Sequence, residues 1–160
     1  AGKKAGEIMK NLDWRTLLFF AGLFFCVGGL EVSGVLEKVS QLIGDIAKGN
    51  TSTAIALILW LSAFLSAFVD NIPFAAAMVP VIRELSMSGI SLPAMAWTLS
   101  LGADIGGNAT PIGASANVVG IAICEKEGYP ISWGKFTKYT AVLTFLVIGL
   151  CHLLLFWRYA

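Results

Sequence analysis

The chain has 160 residues, of which 57% are hydrophobic and only 13% charged, against roughly 25% charged residues in an ordinary soluble domain. A formal net charge of +1 and a pI near 7.9 lack the basic excess that nucleic-acid binding requires, so no nucleic-acid partner is expected. A mean hydropathy of +0.79 points to the lipid bilayer as solvent and partner, where apolar segments of roughly 20 residues span as helices.

Residues 1–15 are polar and basic, and no small-residue cleavage site follows, so the first apolar segment is expected to stay in the protein. Thr16 to Leu30 carry no charge and reach spanning length with Trp14 at the interface, which predicts a scaffold transmembrane helix over about 14–33. Its Phe-rich run from Phe19 to Phe25 reads as lipid contact. Next, Val35, Leu36, Val39, Leu42, Ile43 and Ile46 recur at helical spacing, with Glu37, Lys38, Gln41, Asp45 and Lys48 on the other positions. That pattern predicts an amphipathic arm over about 34–48, lying along the membrane surface and ended by Gly49 and Asn50.

Residues 54–69 are apolar apart from two serines; Asp70 and Asn71 interrupt, and apolar character resumes from Ile72 to Ile82. Arms of these lengths reach about 24 Å and about 16 Å at ~1.5 Å per residue, short of a ~30 Å hydrocarbon core. Two short arms around a polar tip predict a re-entrant hairpin over about 52–88, with Pro73 and Pro80 as helix-start or kink residues. Leu92 to Ile105 is again short and runs into Gly-Gly-Asn-Ala-Thr-Pro-Ile-Gly at 106–113 before apolar character returns from Ala114 to Cys124. Backbone that unwinds at membrane depth must be buried in protein or line a cavity, so a broken transmembrane helix is expected over about 92–125. Gly106, Gly107, Gly113 and Pro111 read as its scaffold. A last transmembrane helix over about 133–158 closes on the interface anchors Trp157, Arg158 and Tyr159. His152 reads as an interhelical hydrogen-bond donor rather than a proton relay. Cys26, Cys124 and Cys151 read as packing residues.

If residues 54–82 enter and leave on one side, Lys3, Lys4, Lys10, Arg15, Lys126, Lys135 and Lys138 share a face, seven of the eleven basic residues. A crossing segment would split them six to five. The positive-inside tendency therefore favours the hairpin and a cytoplasmic N-terminus, in a multi-pass protein of the cell (inner) membrane.

A charged side chain at the bilayer centre costs ~2.5–3.5 kcal/mol, so the aspartates inside these apolar stretches are expected to be functional. The candidate ion- and substrate-binding residues are Asp70 and Asn71 at the first break, and Asp104, Asn108, Thr110, Ser115 and Asn117 at the second. Unwound carbonyls and helix C-termini suit a cation such as Na⁺, near Asn71, Asn108, Thr110 and Asn117, and helix N-termini at the same breaks suit an anion. Asp70 and Asp104 could equally carry protons, which leaves Na⁺ and H⁺ both open as coupling ion. No other cofactor is expected. No Ser-His-Asp, Cys-His or metal-ligand spacing is present, so the chain does not read as an enzyme.

Asp70-Asn71-Ile72-Pro73-Phe74, the run from Gly102 to Asn117, and the opening Asp13-Trp14-Arg15-Thr16-Leu17-Leu18-Phe19-Phe20-Ala21-Gly22-Leu23 together resemble the ion transporter superfamily. Arsenite-efflux permeases, the P protein family, sodium/proton antiporters and sodium/dicarboxylate symporters belong to it. The resemblance implies an all-α integral membrane fold, one half of an inverted-repeat transporter, with 50–160 as its transport region and 1–49 as tail, scaffold helix and arm. It also implies ion-coupled secondary transport of a small inorganic or organic anion, with Na⁺/H⁺ antiport as the alternative. Asp70-Asn71-Ile72 stands where the dicarboxylate symporters carry Ser-Asn-Thr, and Thr110-Pro111 with Asn117 stands near their Thr-Pro-Pro-Asn loop. The aspartate in place of serine and the missing second proline favour the arsenite-permease and P-protein side. Since such transporters need two inverted halves, the expected partners are an N-terminal half or a second chain, and a homodimer partner. A non-transporting membrane scaffold or split-subunit fragment is the reading of another class.

Overall fold

A computed structural model describes residues 18, 21, 22, 25, 26, 28, 29 and 32–159. The scaffold helix expected over about 14–33 lies largely outside the described residues. Those residues contain no strand, and from residue 35 onward they form six α-helices: α1 Val35–Ala47, α2 Thr51–Ser66, α3 Asn71–Met87, α4 Leu92–Gly106, α5 Ser115–Lys126 and α6 Trp133–Tyr159.

The arm α1 follows its amphipathic pattern, with a difference in what covers its apolar side. Leu36, Ser40, Ile43 and Ala47 are buried against α2 and α3, while Val35, Leu42 and Ile46, about 100° further round, stay exposed. The apolar arc thus divides into a stripe used by the protein and a stripe left for the surroundings. Lys48 and Gly49 adopt left-handed φ values of 50° and 73° and end α1. Asn50 then begins α2: its side-chain oxygen accepts the N–H groups of Ser52 at 2.9 Å and Thr53 at 3.2 Å, two of the donors a helix start leaves without partners.

The two arms of the expected hairpin, α2 and α3, touch each other little; both pack on α4. Small residues explain this arrangement. Ser62, Ala63 and Ser66 of α2 face Gly102, Ala103 and Gly106 of α4, and a Cβ on Gly102 would lie 2.8 Å from the Leu59 carbonyl oxygen. Between apolar helices in lipid, close approach of this kind supplies the packing that hydrophobic burial supplies in water. The buried Ser66 hydroxyl donates across the interface to the Ala103 carbonyl at 2.6 Å.

The second apolar segment is interrupted. α4 gives way to a 3₁₀ turn, Gly107–Ala109, then to extended backbone at Thr110 before α5 starts at Ser115. α6 has 27 residues, 18 of them in a stretch of mean hydropathy 2.2, and is long and apolar enough to cross a membrane. It packs on α2, α4 and the 3₁₀ turn. His152 ties it to α2, but as an acceptor rather than the expected donor: Trp60 Nε1–H donates to His152 Nδ1 at 3.2 Å.

Candidate functional site at two helix breaks

The tip between α2 and α3 and the loop between α4 and α5 lie against each other, and side chains from each hold the other. Asp70 occupies the N-cap of α3, where Oδ1 accepts the Ile72 N–H at 3.2 Å. Its second oxygen, Oδ2, accepts the Ser115 N–H at 2.9 Å and the Ser115 hydroxyl. One carboxylate therefore sits at the N-termini of two helices, where the partial positive charge of each favours it. The anion expected at these N-termini is thus met, in this arrangement, by the protein's own aspartate.

Asn71, the first residue of α3, points the other way and donates through Nδ2 to Asp104 Oδ1 at 2.8 Å. Asp104 stands near the C-terminal end of α4 and is exposed. It opens into a cleft of about 370 Å³ between α3 and α4, lined by Asn71, Ile72, Val79, Ala96, Ser100 and Asp104 among others. Ser100 lies one helical turn before Asp104 on the same face, a residue that sequence reading passed over although the four-residue spacing was there to see.

The remaining candidates work on the loop's own backbone. Asn117 donates through Nδ2 to both the Gly107 and Thr110 carbonyls, each at 3.0 Å. Asn108 donates to the Asp104 carbonyl at 3.1 Å. The buried Thr110 hydroxyl donates to the Ala67 carbonyl, back to the end of α2. Thr140, also absent from the sequence expectations, donates from α6 to the Ala109 carbonyl at 3.1 Å. These carbonyls cluster where the helix is interrupted, and the Thr110 carbonyl also accepts the Gly113 N–H at 3.3 Å. The seven candidates accordingly fall into a carboxylate clip (Asp70, Ser115), a carboxylate–amide pair at the cleft (Asn71, Asp104) and a loop-holding set (Asn108, Thr110, Asn117). Among the described residues no group of three or more His, Cys, Asp or Glu side chains is placed to hold a metal.

Residues 2–102 match the citrate transporter family. The chain belongs to that family. Membership in a family of transporters makes this chain part of a membrane protein. The chain is 41% identical over 162 residues to an uncharacterized transporter of Mycobacterium tuberculosis (strain CDC 1551 / Oshkosh), covering 99% of this chain and 38% of that protein. It is 39% identical to a 46 kDa membrane protein of Mycobacterium leprae (strain TN), over 96% of this chain and 36% of that protein. It is also 43% identical to the P protein of Mus musculus, over 92% of this chain and 19% of that protein. The chain therefore spans well under half the length of these relatives. No solved structure matches it.

Proposed function

We propose that this chain carries one half of the binding site of an ion-coupled secondary transporter, with a small inorganic or organic anion as cargo and Na⁺ or H⁺ as coupling ion. The observation that carries the reading is the junction of the two breaks: Asn71 meets Asp104 and Asp70 meets Ser115, although 33 and 45 residues separate them in sequence. In a bilayer, irregular backbone and ionisable side chains brought together in this way mark an ion or substrate path. α2 and α3 act as a re-entrant hairpin, α4 and α5 as a broken helix, and the site faces each side of the membrane in turn as the transport region moves against its scaffold. A second inverted half completes the site.

Exchange of Na⁺ for H⁺ is the second reading, and a specific feature favours it. Asp70 already fills the two helix N-termini an anion would use, while Asp104 faces the cleft. The experiment that separates the readings is flux through the intact protein in proteoliposomes, with arsenite, dicarboxylates, citrate, chloride and Na⁺/H⁺ exchange run in parallel. Uptake of one anion under a Na⁺ or proton gradient supports the first reading; exchange of the two cations alone supports the second. Absence of any response to Na⁺, protons or these anions removes transport from the account.

A further inference from the structure

The two membrane aspartates look interchangeable in sequence, and their surroundings assign them different work. We infer that Asp70 is a positioning residue rather than an ion ligand: its carboxylate clips the hairpin tip to the start of α5 and so holds Asn71 in place against Asp104. The inference rests on the transport reading and names the division of labour within that site.

Three features support it. First, both Asp70 oxygens are engaged: Oδ1 takes the Ile72 N–H, and Oδ2 takes the Ser115 N–H and hydroxyl. Hydrogen bonds to an ionised acceptor are roughly twice as strong as neutral ones, and the negative charge at two helix starts adds to them. Three of the roughly four lone-pair sites of the Asp70 carboxylate are thereby taken, against one on Asp104, so an ion at Asp70 would find a single open site on Oδ1. Second, Asp104 is exposed to the α3–α4 cleft, with Ser100 on the same wall. Among the described residues its carboxylate meets one side chain, the Asn71 amide, at 2.8 Å. It therefore keeps oxygen lone pairs for a cation or a proton. Third, Asn71 is the next residue after Asp70, so a shift of the tip of even 1 Å carries the Asn71 amide away from Asp104. Such displacements can cost about a hundredfold in a positioned site.

The test uses the intact protein in proteoliposomes, reading flux against Na⁺ concentration at fixed pH and against pH at fixed Na⁺, together with melting temperature in detergent. Ser115→Ala and Asp70→Asn are expected to raise the half-saturating concentration of the driving ion about tenfold while keeping a saturable response. Ser115→Thr, which retains the hydroxyl, is expected to restore it. In an Asn71→Ala background, Asp70→Asn should raise that concentration no further, because Asp70 acts through Asn71. Asp104→Asn should remove the ion response altogether. A purely structural role would lower only the amount of active protein, leaving the half-saturating concentration unmoved; that outcome overturns the inference. So does loss of the ion response in Asp70→Asn, which would make Asp70 a ligand. Should Asp70→Asn fail to fold, Ser115→Ala carries the test. Should no variant or wild-type protein show flux, the transport reading fails separately. The clip is then judged by melting temperature, where Asp70→Asn and Ser115→Ala must be non-additive and additive losses reject it.

Discussion

A carboxylate among apolar helices must be held by something, and what holds it decides what it can do. Asp70 is held by donors from two helix starts and Asp104 by one amide, and on the transport proposal Asp104 is the acid assigned to cargo or ion. Asp104→Asn in the intact protein is expected to abolish flux in proteoliposomes while leaving the melting temperature near that of the wild type; unchanged flux would take Asp104 out of the mechanism. Asn117 has a different task, since its amide satisfies the Gly107 and Thr110 carbonyls together. Asn117→Ala should lower stability by about 1–3 kcal/mol, the cost of leaving buried acceptors short of a donor, read as a fall in melting temperature in detergent. Asn71 and Asn117 were both visible in the sequence as polar residues in apolar surroundings. Which of them bonds backbone and which meets a carboxylate was not, because that depends on which element the fold brings opposite each one.

The same argument holds for the helices. The interruptions of the apolar runs coincide with the helix ends because each is written in local chemistry: Gly49 and Asn50 after the arm, Asp70 and Asn71 between α2 and α3, glycines and Pro111 in the loop. Pairing is another matter. A hairpin reading sets α2 beside α3, whereas α4 contacts both, and it meets α2 at Gly102 and Gly106, of which Gly106 alone was expected as scaffold. At Gly106 a Cβ would press into the Ala63 backbone, while at Gly120 nothing lies within 4 Å. Gly106→Ala is therefore expected to destabilise by about 1–3 kcal/mol through overpacking. Gly120→Ala should be neutral or stabilise by up to about 1 kcal/mol, from the lower entropy cost of ordering alanine in a helix. Parallel thermal melts of the two variants in one detergent check the pair, and equal effects would mean that α2 and α4 do not meet as closely as described.

For the molecule as a whole, the exposed apolar surface says where it belongs. α5 buries none of its residues, α6 leaves Phe145, Leu146, Leu150 and Leu153 exposed, and the arm keeps Val35, Leu42 and Ile46 uncovered, all surfaces suited to lipid or to further protein. Since the chain matches only 38% of the length of its mycobacterial relative, the 160 residues reconstituted alone are expected to carry no flux, with activity returning when the rest of a full-length relative's architecture is supplied. Flux through the isolated chain would show that one set of these elements is sufficient. Composition, segment length and the place of polar residues within apolar runs determined a membrane protein with two interrupted segments, because the bilayer penalises each unsatisfied group locally and the sequence must answer locally. Only the tertiary structure decided that Asp70 serves two helix starts, that Asn71 meets Asp104, and that α4 contacts both arms. Those contacts join residues tens of positions apart, and nothing in the local chemistry of either partner names the other.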